Sequence, residues 1–147
     1  MLRNRFRQAT TTLLNSAALV AGFGVYATAV QPAATASVGT AEQLEAGRTA
    51  YRTHCAGCHA GDLGGRGETP PLSGDGFLQA WRTRTTADFY QYIQGMPPEG
   101  AKPSADEYVT IVVFILERNG AGTGQAALTA TTATAIGTVA TGTPAKP

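Results

Sequence analysis

Both cysteines and both histidines of the chain fall inside one eleven-residue stretch, YRTHCAGCHAG, from Tyr51 to Gly61. Within it Cys55, Cys58 and His59 spell C-x-x-C-H, the spacing of c-type haem attachment. On one irregular turn each thiol can form a thioether with a haem vinyl group. The residue that follows then places a ring nitrogen under the iron. A chain with this pattern folds around the group that the pattern holds.

Other uses of the same residues account for less. A disulfide between Cys55 and Cys58 is open to an exported pair of cysteines but leaves His59 without a role. A thioredoxin-like redox site needs a surrounding βαβ pattern, and the glycine-rich stretch that follows supplies no strand. Zinc needs a fourth ligand; beyond the two thiols and His59 only His54 or carboxylates remain, and His54 is poorly directed beside Cys55. One covalently bound haem c uses all three residues.

Not all 147 residues are expected to fold. Arg3, Arg5 and Arg7 precede an uncharged run from Leu13 to Val30 and then small residues, so residues 1–36 read as an export signal. Cleavage patterns stand at Ala27-Thr28-Ala29 and Ala34-Thr35-Ala36. The rival reading is an uncleaved anchor, since the run approaches the roughly 20 residues of a membrane helix, although its Thr, Asn, Ser and Gly content argues against it. Either reading places the remainder outside the cytoplasm, in the periplasm, soluble or tethered. Without those three arginines 8 basic residues face 10 acidic ones, which makes nucleic acid a poor partner. Residues 121–147, mostly Ala, Thr and Gly, read as a flexible tail. The domain is therefore placed at residues 37–120, small enough to need a covalent or bound staple.

Inside those limits the pattern is helical. Thr40 and Gln43 form a candidate capping box for a first helix running to about Thr53. Seven glycines and two prolines between Gly57 and Gly76 favour a wrapping loop over any regular element. A short helical turn is expected at Phe77 to Trp81 and a fuller one from Thr86, as cap, to Gln94. The last helix is capped by Ser104 and Glu107, carries Tyr108, Ile111, Val112, Ile115 and Leu116 on one face, and stops at Asn119-Gly120. The expected class is all-α, three to four helices with long loops around one haem.

An iron held by one histidine has a second axial position. With Met1 lost to any cleaved signal, Met96 is the one thioether left. Its Gly-Met-Pro-Pro turn is flexible before the residue and stiff after it. Imidazole and thioether together raise the potential and suit one-electron transfer. Core filling is the bland alternative for a lone methionine.

Several separated motifs make residues 40–120 resemble a class I monohaem cytochrome c. In that family a glycine and an aromatic of the first helix cross the last helix, and Gly47 and Tyr51 stand at the matching positions against Phe114 and Ile115. The resemblance implies that the carbonyl of Pro70, with Pro71 the rival, holds the other ring nitrogen of His59. It also implies that Trp81 lines the haem edge, while Arg82 and Arg84 are expected to be solvated. The stretches PPLSGDGFLQAW, DFYQYIQGMPP and SADEYVTIVVFILERNGAGTG are similar to the small cytochromes that accompany quinoprotein (pyrroloquinoline-quinone-dependent) dehydrogenases.

The function this implies is that of an electron carrier and not an enzyme. It accepts electrons from a dehydrogenase and passes them to a cytochrome or oxidase of the respiratory chain. Its partners are redox proteins, with a membrane involved only if the N-terminal segment is retained. Two alternatives stand beside it: a haem-based sensor or peroxidase-like enzyme with a labile sixth ligand, for which no distal His or Arg is evident near Met96, and a haem-free, disulfide-stapled binding module.

Overall fold

A computed structural model of the protein describes residues 36–142. Apart from Ala36, the expected export segment lies outside the described residues, as do residues 143–147 of the tail. Six helices follow one another: α1 (Ala41–His54), α2 (Ala56–His59), α3 (Asp75–Trp81), α4 (Thr86–Ile93), α5 (Ala105–Arg118) and α6 (Ile136–Val139). Among the described residues there are isolated bridges but no strand. The described residues are all-α, the class expected.

The long helices begin where side chains can satisfy free amides. Thr40 and Gln43 cap α1 reciprocally, as Ser104 and Glu107 cap α5. At α4 the cap is Thr85 with Asp88, one residue earlier than expected. Thr86 is buried, and its hydroxyl donates to the Thr132 carbonyl. Burial therefore claims the second threonine and leaves the cap to the first.

The crossing of α1 and α5 is the centre of the fold. A Cβ at Gly47 would stand 1.9 Å from the Thr110 carbonyl oxygen, so only glycine lets the two backbones approach so closely. One turn on, Tyr51 meets Phe114 with ring centroids 5.1 Å apart. The face of α5 expected to be apolar is buried, and so are Val109, Val113 and Phe114, which makes α5 a core helix rather than one with a single apolar stripe.

Asn119 does more than end α5. It is fully buried; its amide donates to the carbonyls of Leu72 (2.9 Å) and Ile115 (2.8 Å), and its side-chain oxygen accepts from the Gly74 amide (2.9 Å). The glycine-rich loop is thereby tied to the helix end.

Residues 121–142, expected to be flexible, pack back onto the domain. Leu128, Ile136, Val139 and Ala140 are buried. Gln43 grips Leu128 at both ends of its peptide group, donating to its carbonyl (2.9 Å) and accepting from its amide (2.8 Å). Thr86, Ile136 and Gly137 donate backbone N–H groups to Thr134, Arg84 and Arg82 respectively. A few large apolar anchors fill gaps in the core, while the small residues between them allow close backbone approach. Low complexity here is thus compatible with order.

Candidate functional site

A cavity of about 750 Å³ opens between α5, the C-x-x-C-H segment and the Met96 turn. That is within the roughly 300–1,000 Å³ of small-ligand sites. Five pieces of chain build its walls.

The first wall is the motif itself. α1 runs into α2 through the bonds from Cys55 N to Tyr51 O and from His59 N to Cys55 O (2.8 and 2.9 Å). The Tyr51 hydroxyl donates to the Ala60 carbonyl at 2.8 Å, closing the motif over the helix it leaves. Burial pushes the Tyr51 hydroxyl above its ordinary range, with Cys55 and Asp62 adding to the shift, so it stays a donor. Cys55 and Cys58 form no disulfide with each other; Cys55 is half-buried and Cys58 exposed. Burial, with Cys58 nearby, pushes the Cys55 thiol up to about 11.

The second wall is the loop segment Pro70–Leu72. His59 Nδ1 lies 3.0 Å from the Pro70 carbonyl oxygen. Since a carbonyl only accepts, Nδ1 carries a proton, and Nε2 is the ring nitrogen left to meet a metal. Pro70 rather than Pro71 therefore meets the imidazole.

The third wall comes from α3 and α4. Phe77, Trp81 and Phe89 line it; Trp81 packs on Phe89 and Tyr92 with centroids 4.6 and 5.0 Å apart. Trp81 is thus both core residue and cavity lining. Arg84 is not merely solvated: it lines the cavity, with its guanidinium 5.3 Å from the Trp81 ring centre. The absence of an arginine expected near Met96 is corrected to that extent, but Arg84 is engaged with an aromatic face.

Met96 is on the fourth wall, with Pro97 and Pro98, and is 37% exposed. Tyr108, Ile111 and Ile115 form the fifth, on α5. The Tyr108 hydroxyl, pushed up chiefly by burial, donates to the Met96 carbonyl at 2.5 Å. The cavity therefore unites Cys55, Cys58, His59, Pro70, Trp81 and Met96, which the sequence spreads over more than forty positions.

Two contributors were missed. Tyr108 has helical spacing, so it looked like core; His54 lines the cavity and stands 3.6 Å from Glu107. Nothing in periodicity marks either as a site residue.

These donors suit a macrocycle better than a bare ion. Among the described residues no group of three or more His, Cys, Asp or Glu side chains converges as a metal-ion site. Two thiols on one edge, one imidazole with a free nitrogen and apolar walls fit a flat, covalently tethered metalloporphyrin.

A family model described as cytochrome c oxidase, cbb3-type, subunit III, matches residues 42–115, half of the chain. The chain belongs to this family of c-type cytochromes. No curated protein and no solved structure matches it. The matched span runs from the first turn of α1 almost to the end of α5 and holds the whole motif and Met96. The cytochrome carries covalently bound haem c with its iron, and is an electron carrier for redox partner proteins rather than an enzyme. Among its described residues no helix is long and apolar enough to cross a membrane.

Proposed function

We propose that this cytochrome is a periplasmic one-electron carrier whose haem would be held by thioethers to Cys55 and Cys58 and whose iron would be bound by His59 and Met96. The observation that carries this reading is the shared cavity: the motif residues, the Pro70 carbonyl on His59 and the Met96 turn all border one apolar space. When bound, the haem supplies a one-electron iron couple.

The chain's own residues do the rest. Pro70 fixes the imidazole and strengthens its free nitrogen as a donor. A thioether favours the reduced iron and raises the potential. Phe77, Trp81, Ile111 and Ile115 exclude water, which keeps the reorganisation on electron transfer small. Tyr92, 59% exposed, and Met96 stand at the rim, where a partner can approach. Redox encounters of this kind bury little surface, often under about 1,200 Å².

The donor in this reading is a dehydrogenase, with a quinoprotein the leading candidate because of the resemblance carried by the PPLSGDGFLQAW and DFYQYIQGMPP stretches. The acceptor is another cytochrome or a terminal oxidase of the respiratory chain; the family description, which names an oxidase subunit, supports that end. The N-terminal segment of residues 1–36 serves export, as signal or anchor.

Stopped-flow mixing of the oxidised holoprotein with a substrate-reduced quinoprotein dehydrogenase tests the donor. Reduction much faster than by an unrelated reduced flavoenzyme is expected. Equal or slower reduction removes the quinoprotein from the reading. A reversible redox titration with a one-electron slope tests the carrier role itself, and failure to cycle would end it.

A further inference from the structure

We infer that Lys102, together with Tyr108, is a positioning residue for Met96: the two side chains hold the turn that presents the thioether. The inference rests on the reading of Met96 as sixth ligand. Four successive carbonyls of the turn are captured alternately. Gln94 and Met96 accept from the Tyr108 hydroxyl at 3.4 and 2.5 Å. Gly95 and Pro97 accept from the Lys102 ammonium at 2.8 and 2.5 Å. The carbonyls on either side of Met96 thus share one cation, and the carbonyl of Met96 itself goes to a buried phenol.

Both clamps lie close together in the chain, at the entry to α5. Tyr108 is in the first turns of α5, and Lys102 precedes the Ser104 cap by two residues, with buried Pro103 between them. Ser104 is itself fixed by Glu107, whose carboxylate accepts from its amide at 2.8 Å. Among the described residues Lys102 pairs with no carboxylate, so its charge faces the turn alone. The turn's own backbone contributes little besides the bonds from Gly95 N to Tyr92 O and Met96 N to Ile93 O. A charged donor shared by two carbonyls makes stronger bonds than a neutral one. Its removal leaves the Met96 turn held from one side and free to swing away from the cavity.

The test uses the full-length ferric holoprotein at saturating imidazole, where the rate of thioether displacement is limited by Met96 leaving the iron. Lys102→Leu is expected to raise that limiting rate about tenfold, the equivalent of losing a pair of exposed hydrogen bonds. Lys102→Arg, which keeps the charge and donors in a different geometry, is expected to fall between the unsubstituted protein and Lys102→Leu. Tyr108→Phe is expected to raise the rate at least as much as Lys102→Leu, because its bond is buried. A Lys102→Leu rate within twofold of the unsubstituted protein, with the far-red sulfur band intact, overturns the positioning role. So does a Lys102→Arg rate as high as that of Lys102→Leu. Lack of that band in the unsubstituted protein overturns the ligand reading itself, and the clamp with it.

Discussion

The two sides of the cavity are built differently. On the His59 side main-chain bonds run through the motif itself, since α1 continues into α2 and Gly65 N donates to His59 O at 3.0 Å, and buried side chains add to them: the Tyr51 hydroxyl on Ala60 O and Asn119 on the loop whose Pro70 O meets the imidazole. On the Met96 side a turn between α4 and α5 leans on two side chains, Lys102 of the same connection and Tyr108 of α5, and its methionine is partly exposed. A ligand held by backbone geometry is hard to dislodge without unfolding its surroundings, whereas one held by side chains gives way locally. If His59 and Met96 are the ligands as proposed, loss of ligation is expected to start on the Met96 side.

Removing what both sides share breaks the comparison most severely. Gly47→Val drives a side chain into the Thr110 carbonyl, and a loss of about 3 kcal/mol or more, or failure to fold, is expected in thermal unfolding of the holoprotein. An unchanged melting temperature would mean that the α1–α5 crossing does not seat the two walls.

The C-terminal segment sharpens the contrast, since none of its described residues lines the cavity. Ile136 is fully buried, and Ile136→Ala is expected to cost about 2–4 kcal/mol while leaving the haem spectrum unaltered. Thr86→Val strips a donor from Thr132 and an acceptor from Thr134 and is expected to cost about 1–3 kcal/mol in the same measurement. A spectral change in either variant would tie the tail to the site.

What the sequence revealed tracks how local each signal is. C-x-x-C-H, the caps at Thr40 and Ser104, and the apolar positions of α5 depend on neighbours within a turn or two, so they could be read directly. The Gly47 crossing was reached by resemblance, and its partner includes the Thr110 backbone, which no side-chain pattern displays. Asn119 looked like a helix stop because its partners Leu72 and Gly74 lie more than forty residues away in an aperiodic loop. Average composition points to disorder after residue 120, while order in residues 121–142 depends on Leu128, Ile136 and Val139 finding particular gaps. Lys102 carried no signal: an exposed lysine in a Pro- and Gly-rich turn resembles any solvated charge until the carbonyls it meets are placed.

The visible absorption spectrum of the purified oxidised holoprotein, recorded beside that of Met96→Ala, tests the central claim most directly. The account predicts a low-spin haem c with the weak far-red band of iron–sulfur ligation, abolished by the substitution while the covalently held haem remains. A high-spin haem, or a far-red band that survives Met96→Ala, would contradict it.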